Sequence, residues 1–536
     1  MHAVELCDMS GITQKSAWGF LALWCLLGWP LHVEAQKTAW EKYQRTGVQA
    51  YKQGRYAEAE KQLTAALEEA ERSGLSDQRL SIPLTTLALV YSAQNHVDKA
   101  EPLYQRILAL RERSLGPEHL EVAAALDNLA EVYEVQGQYL QAQTLYWRAL
   151  QIREKMLRPT HPGIASSLDN LASVYEAQSL FAEAEPLYQR ALQMREKTLK
   201  PNNPSIATSL SNLAELYRAQ RRYPEAETLH QRALAIREKA FGPQHPHVAV
   251  SLTHLALVYA GQDLYEQAET LQQRAITVAE RALGAEHPDV ASILNRLGEV
   301  YRFQGQYTKA EPLYQRALSI RERALGPDHP DVAASRNNLA GLYEAQGQPG
   351  KAELLYQRAL LVREKTLGPD HPELASSLNS LGDVYRVQGR YDKAEPLYLR
   401  AIATWQKASG EVSIELAAGY NNLAEVYRAQ GQHGKAETFA LRSLALRERL
   451  LGPDHSDVAT SLNTLALLYV AQEQYGKAEP YARRAVATGE KMFGAEHAGM
   501  AVLLDNYATL LRQTGRHNEA LPLQARARAI RTRHGR

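Results

Sequence analysis

Histidine recurs at one position of the sequence, where it could act as a metal ligand or as a helix cap. The members of this column are His119, His161, His245, His287, His329, His371, His455 and His497. Two ligands of one zinc ion must each lie about 2 Å from it. Histidines on successive helix pairs, stacked about 10 Å apart, cannot meet that requirement. Most precede a proline, which suits the first helical position, so we expect helix caps and predict no metal site.

Arginine forms a second column, which could bind anionic groups. Its members are Arg106, Arg148, Arg190, Arg232, Arg274, Arg316, Arg358, Arg400, Arg442, Arg484 and Arg526. A ligand contact would be expected to differ between units, whereas a constant residue indicates a shared architectural role. We expect each stem to lie on a neighbouring unit and each guanidinium to pair with the glutamate of an Ala-Glu dipeptide, as at Glu185, Glu227 and Glu311.

The sequence lacks the short motifs of common catalytic and nucleotide-binding sites. It contains no His-Glu-x-x-His, no Gly-x-Gly-x-x-Gly and no phosphate-binding loop. The 61 Lys and Arg residues balance 60 Asp and Glu residues, so no net field favours nucleic acid. Two cysteines exclude a disulfide scaffold and a cysteine-based zinc module. We therefore expect no enzymatic activity, no cofactor and no nucleic-acid partner.

Tyrosine marks the period of the elements that must position these residues. It recurs every 42 residues at Tyr91, Tyr133, Tyr175, Tyr217, Tyr259, Tyr301, Tyr343, Tyr385, Tyr427 and Tyr469, each followed by alanine nine residues later. Apolar residues in each unit follow a helical period, first over Val122–Tyr133 and, after Gly137, again over Tyr139–Leu150. A single helix pair cannot bury its apolar face, so neighbouring pairs must stack. The sequence predicts an all-α solenoid of twelve helix pairs from about residue 40 to the end, with residues 36–536 as one array.

The pattern Leu129-Ala130-x-x-Tyr133, with alanine nine residues on, resembles the tetratricopeptide repeat. The unit is eight residues longer than the usual 34, and its Gln-Arg-Ala-Leu segment, as at Gln315–Leu318, is similar to the repeats of kinesin light chain. This resemblance implies a right-handed superhelix whose first helices line a concave groove. It also implies a polypeptide partner.

Two neighbouring columns of the first helices would face that groove. The ladder column reads Asn128, Asn170, Asn212, His254, Arg296, Asn338, Ser380, Asn422, Thr464 and Asn506. The preceding column reads Asp127, Asp169, Ser211, Thr253, Asn295, Asn337, Asn379, Asn421 and Asn463. A carboxamide both donates and accepts, so an asparagine ladder can hold an extended peptide backbone. A local turn or helix contact remains the alternative for these asparagines. Family members that grip a terminal carboxylate place lysine in the preceding column, which this chain does not.

One patch departs from several columns at once. Arg296 replaces the ladder asparagine, Phe303 stands where most units have a smaller residue, and Arg336 occupies a leucine column. Other candidate groove residues near this patch are Arg302, Asn337, Asn338, Arg386 and Arg428. Guanidinium groups beside an aromatic ring favour an acidic or aromatic-acidic peptide. Drift within a duplicated array is the alternative.

The amino terminus has the pattern of a secretory signal. An uncharged apolar stretch covers residues 17–31, and small residues at Val33 and Ala35 predict cleavage after Ala35. The stretch is short for a membrane span, which needs about 20 residues, so we expect no stable span in the mature chain. Translation from Met9 would remove the acidic Glu5 and Asp8. The sequence thus predicts a periplasmic or secreted protein, with a cytoplasmic location as the alternative.

Taken together, these patterns favour a non-catalytic scaffold that binds an extended or acidic peptide in its groove. The alternative is an accessory subunit of an exported complex that binds a glycan or a cell-wall component. An aromatic-lined groove would favour glycan, whereas the asparagine and arginine lining favours peptide. The oligomeric state is left open.

Overall fold

A computed structural model describes residues 39–53, 55–94, 96–369 and 371–533. Every regular element in these ranges is an α-helix, and the helices form twelve consecutive pairs, so the predicted all-α repeat architecture is confirmed. None of the described helices is both long and apolar enough to cross a membrane. The predicted signal segment, residues 1–35, lies outside the described residues.

The first helices of the pairs carry odd numbers. They are α1 (Ala39–Lys52), α3 (Asp77–Ala93), α5 (Leu120–Val135), α7 (Pro162–Ala177), α9 (Pro204–Ala219), α11 (Pro246–Gly261), α13 (Pro288–Phe303), α15 (Pro330–Ala345), α17 (Pro372–Val387), α19 (Ile414–Ala429), α21 (Ser456–Ala471) and α23 (Met500–Gln513).

The second helices carry even numbers. They are α2 (Tyr56–Arg72), α4 (Val97–Leu115), α6 (Tyr139–Met156), α8 (Phe181–Thr198), α10 (Tyr223–Phe241), α12 (Tyr265–Leu283), α14 (Tyr307–Leu325), α16 (Pro349–Leu367), α18 (Tyr391–Ser409), α20 (His433–Leu451), α22 (Tyr475–Phe493) and α24 (His517–Arg533).

The histidine column caps the first helices, as predicted. In each of its eight members the ring Nδ1 accepts a hydrogen bond, 3.0–3.2 Å long, from the backbone N–H two residues later. Asn203 holds the same position before α9, where its Oδ1 accepts from the Ser205 N–H at 2.9 Å. Because each ring caps its own helix, the histidines of this column do not form a common metal site.

A left-handed residue closes the turn inside each pair from α5 and α6 onward. Gly137 has φ 71°, and the Gln138 N–H after it donates to the Tyr133 carbonyl at 2.7 Å. Residues with a side chain take this conformation at Ser179, Arg221, Asp263 and Glu473, with φ between 58° and 60°. Most units use glycine here because it adopts positive φ without steric cost.

Small alanines and buried tyrosines fill the interior of a pair. Ala130 of α5 and Ala142 of α6 are fully buried, and Tyr146 beside them is 2% exposed. The Tyr146 hydroxyl donates to Glu134 at 3.3 Å, so this polar group is satisfied at the edge of the core. Close approach of the two helices is therefore set by the alanine columns that the sequence repeats.

The helices divide into two compact units. The first consists of residues up to Ala177 together with Ala182–Ala324, and the second of Gln178–Phe181 with residues from Leu325 onward. Inside a unit, the second helix of a pair contacts the first helix of the next pair. First helices of neighbouring pairs also contact each other, as α9 does with α7 and α11, and α19 does with α17 and α21. Each unit thus has a face formed by its first helices, the first-helix face. That residues 36–536 form one array stays a prediction.

Candidate functional site

Three asparagines of the ladder column lie in equivalent positions on α5, α7 and α9. The side chains of Asn128, Asn170 and Asn212 are partly buried. Within the described residues none of the three makes a side-chain hydrogen bond. Partly exposed carboxamides without internal partners can bind a ligand without first breaking an existing bond.

The ladder column of the second unit is used differently. Asn422 donates to the Asn379 Oδ1 at 3.2 Å, and Asn506 donates to the Asn463 Oδ1 at 2.9 Å. Both bonds join one repeat to the one before it. These two asparagines therefore make the helix contact that was the alternative to peptide binding. Asn338 is exposed.

Side chains of the preceding column pack between helices instead of lying on the first-helix face. Asp127 pairs with Arg153 at 2.5 Å, and Asp169 pairs with Arg195. Burial raises the pKa of the Asp169 carboxyl, although Arg195 opposes the shift. Each arginine reaches these aspartates from the second helix of the same pair.

Four asparagines of this column, predicted as groove residues, follow the same pattern. Asn295 and Asn421 are only 4% and 3% exposed, Asn337 donates to the Ser377 Oγ at 3.0 Å, and Asn379 donates to Asp383 at 3.2 Å. The buried Asn295 and Asn421 do not present a binding surface, which corrects their assignment. The physical reason is the helical period, since adjacent positions lie about 100° apart around the axis.

In the first unit, the predicted patch presents an aromatic ring beside a cation. Phe303 is 51% exposed, and the guanidinium carbon of Arg302 lies 4.7 Å from its ring centroid. Arg296 is also exposed and pairs with Glu299 of its own helix at 3.2 Å. Arg302 also interacts with the Tyr314 hydroxyl and opposes the rise in the pKa of Tyr314 that burial causes.

Two of the three arginines predicted in the second unit, Arg336 and Arg386, have internal partners. Arg336 donates to the Pro327 carbonyl at 3.1 Å. Arg386 pairs with Glu425 at 2.9 Å and with Asp383 at 3.3 Å. Burial alone would lower the pKa of Arg386, but the two carboxylates raise it above its usual range. Arg428 is partly buried. Arg336 and Arg386 thus serve the architecture in this structure.

Most members of the constant arginine column link second helices of neighbouring repeats through ion pairs. The pairs are Arg106–Glu71, Arg148–Glu112, Arg190–Glu154, Arg232–Glu196, Arg274–Glu238, Arg316–Glu280, Arg400–Glu364, Arg484–Glu448 and Arg526–Glu490. The architectural role was predicted, but the partner was wrong. Glu185 of the Ala-Glu dipeptide instead accepts from the Tyr217 hydroxyl at 3.0 Å and from Arg222 at 2.9 Å.

A cluster that the sequence analysis missed joins three helices of the first unit. The Oε1 of Glu215 on α9 lies 3.1 Å from the Nε2 of His230 on α10 and 3.4 Å from the Nδ1 of His254 on α11. Arg218 donates to the other carboxylate oxygen, Oε2, at 2.8 Å. Burial lowers the pKa of the His254 imidazole, although the Glu215 carboxylate opposes this shift.

Sequence signals for this cluster were present in two columns. His230 stands where six repeats have tyrosine, and His254 stands in the ladder column, where asparagine prevails. Neither signal alone indicates a site, because the distance between two columns on different helices is not visible in a sequence.

Stacked helix pairs whose first helices contact one another define a helical-repeat scaffold. A comparison with protein-family models identifies the repeats as tetratricopeptide repeats, matched over residues 45–113, 82–155, 121–197, 205–281, 248–322, 289–365, 355–407, 415–491 and 471–533. The chain belongs to the tetratricopeptide repeat family, as the sequence predicted. Scaffolds of this family generally bind proteins and are generally non-catalytic.

Several solved structures are similar to this chain. BtubC (BKLC) from P. vanneervenii is 27% identical, with 43% of this chain and 92% of that chain covered and a TM-score of 0.38. A putative kinesin light chain from Podosopora anserina with nearly identical TPR-like repeats is 28% identical, with 39% and 99% covered and a TM-score of 0.34. A Rap protein complexed with competence and sporulation factor is 16% identical, with 70% and 99% covered and a TM-score of 0.46. No curated protein matches the chain.

Proposed function

We propose that this protein is a non-catalytic scaffold that binds an extended segment of a protein partner along its first-helix face. The observation that carries the proposal is the row of Asn128, Asn170 and Asn212, partly exposed and without hydrogen bonds of their own within the described residues. An extended peptide offers its backbone N–H and C=O groups regardless of its sequence, and a carboxamide binds both. The row therefore supports recognition of a main chain.

The charge beside this row supports a preference for acidic or aromatic-acidic segments. Arg296 has a half-exposed side chain, and Arg302 lies over the exposed ring of Phe303. A carboxylate placed against these groups would make charge-assisted hydrogen bonds, which are stronger than neutral ones.

Selection from a displayed library of random peptides tests the proposal. Selected peptides are then titrated against the wild type, the triple variant Asn128→Ala/Asn170→Ala/Asn212→Ala, and the control Asn202→Ala, which alters an exposed loop residue. At about 1 kcal/mol for each lost hydrogen bond, the triple variant should bind about a hundredfold more weakly. The control should bind like the wild type.

Two results would contradict the proposal. Equal affinity of the triple variant would show that the ladder does not contact the peptide. Failure to select any peptide, together with specific signals on a glycan array, would favour the glycan-binding alternative.

We also propose that the protein acts outside the cytoplasm after cleavage behind Ala35. The apolar stretch before Val33 and Ala35 supports this, as does the placement of both cysteines, Cys7 and Cys25, in the segment that would be removed. Amino-terminal sequencing of the mature protein should then begin at Gln36. Recovery of soluble cytoplasmic protein that retains Met1 or Met9 would contradict export.

A further inference from the structure

The Glu215–His230–His254 cluster arises from two departures from the repeat pattern. At the position of His230, six other repeats carry a tyrosine, and in several of them its hydroxyl donates to a first-helix carboxylate, as Tyr188 does to Glu176 at 2.9 Å and Tyr398 does to Asp383 at 2.8 Å. The fold therefore requires no histidine here. The second departure, His254, comes from the next repeat and meets the same carboxylate.

The polar atoms of this cluster lie close together but do not form hydrogen bonds with one another. His230 is 1% exposed, and neither of its ring nitrogens makes a hydrogen bond in the described structure. The Nδ1 of His254 and the Oε1 of Glu215 are likewise buried without a hydrogen-bond partner, although they lie close together. A buried polar group left unsatisfied costs about 1–3 kcal/mol. The arrangement thus places buried nitrogen and oxygen atoms of three residues close together without hydrogen-bond partners among the described residues.

The spacing fits a small cation. The three ligand atoms all lie within 4.8 Å of one another. When two ligand atoms each lie about 2.0–2.2 Å from a tetrahedral ion, they are roughly 3.3–3.6 Å from each other. The Glu215 Oε1 lies at similar distances from the two histidine nitrogens, 3.1 and 3.4 Å. A tetrahedral site would require the two histidine nitrogens to lie within the same distance of each other, and they lie within 4.8 Å in this structure.

We propose that Glu215, His230 and His254 bind a divalent transition-metal ion of the zinc class. Two imidazoles and one carboxylate are a ligand set that zinc uses, with the fourth position left for water or another ligand. The side chains of Glu215 and His254 are 23% and 34% exposed, although their ligand atoms are buried.

Arg218 shapes the site from outside. Its Nε donates to the Glu215 Oε2 at 2.8 Å, which fixes the carboxylate and leaves Oε1 for the metal. Its positive charge also repels a divalent ion. We therefore expect weaker binding than at a four-ligand structural zinc site.

Metal titration of the full chain, first freed of metal with a chelator, tests the proposal. Zn²⁺ binding is followed by calorimetry, and Co²⁺ binding by the visible absorption of a tetrahedral complex. The variants His230→Tyr and His254→Asn each restore the residue that other repeats carry, so both are expected to fold. The control His161→Asn removes an exposed cap imidazole and replaces it with the residue that caps α9.

We expect one Zn²⁺ per chain and a tetrahedral Co²⁺ spectrum. Each restoring variant should weaken binding at least about tenfold, since even an outer-shell partner is worth that much, while His161→Asn should bind like the wild type. Absence of saturable binding, or wild-type binding by both restoring variants, would overturn the proposal. If one restoring variant loses its helical circular-dichroism signal, the other variant and the isosteric Glu215→Gln decide the outcome.

Discussion

Arg237 donates a hydrogen bond to the Oγ of Ser251 at 2.7 Å, which joins α10 of one repeat to α11 of the next. The same guanidinium nitrogen donates to the Ser211 Oγ on α9 at 3.0 Å. Arg237 is only 4% exposed, so these bonds form away from water. One buried side chain thus connects the two helices of a pair to the following pair.

Replacement of Arg237 by alanine should destabilise the first unit. The change removes two charge-assisted bonds, and we expect a loss of about 2 kcal/mol, measured as a lower urea midpoint. Arg232→Ala is the matched control, because Arg232 pairs with Glu196 on the surface and is half-exposed. An exposed pair contributes less than about 1 kcal/mol. Equal losses in the two variants would show that burial does not set the contribution of these arginines.

Glycine at position 221 should stabilise the protein. Arg221 holds φ 59° in a turn where Gly137 and its equivalents have a similar φ. A residue with a Cβ pays about 1 kcal/mol or more for this conformation, so Arg221→Gly should raise the melting temperature. Gln220→Gly is the control: its φ is −78°, and glycine there should lower stability by about 0.5–1 kcal/mol. A lower melting temperature for Arg221→Gly would mean that its side chain makes a stabilising contact.

The fold could be predicted because its signals are local and repeated. The cap histidines, the turn glycines and the alanine columns each determine the structure of only a few neighbouring residues. Because the unit recurs every 42 residues, each of these signals appears many times in the sequence. Arg237 illustrates the limit of this reasoning. Its column holds arginine in most repeats, with Ala279, Trp405 and Gly489 as exceptions, so the sequence indicates a recurrent role but not the partners of the side chain. Its partners lie 14 and 26 residues away on two other helices.

The site was predictable only in part, for the same reason. The ladder column and the preceding column are adjacent in sequence, yet Asn212 is partly exposed while Ser211 is buried against Arg237. Helix geometry separates such neighbours, and only the packing of the next helix decides which of them is covered. The meeting of His230 with His254 depends on packing in the same way.

Loss of the cap at His119 should weaken the start of α5. Its Nδ1 accepts from the Glu121 N–H at 3.1 Å, and removal of a cap side chain typically costs about 1 kcal/mol. We expect His119→Ala to lower the urea midpoint accordingly. His119→Asn should remain close to the wild type, because Asn203 caps α9 through an equivalent bond. A loss as large for asparagine as for alanine would show that the ring stabilises the chain through packing instead.

The arginines of the predicted patch should separate into two functional groups. Arg302 stacks on the half-exposed Phe303, whereas Arg336 donates to the Pro327 carbonyl. We therefore expect Arg302→Ala to weaken binding of an acidic peptide by more than about tenfold, since truncation of a hot-spot arginine costs about 2 kcal/mol or more, with little change in melting temperature. Arg336→Ala should do the reverse, lowering the melting temperature and leaving affinity nearly unchanged.

Titration of one selected acidic peptide against both variants, with melting curves recorded in parallel, measures the two effects. Added salt should weaken the wild-type complex and have less effect on the Arg302→Ala complex, because the lost interaction is electrostatic. Unchanged affinity of Arg302→Ala with a large drop in melting temperature would assign Arg302 to the architecture as well. The exposed ring of Phe303 would then be the remaining candidate of the patch, and Phe303→Ala would test it by the same two measurements.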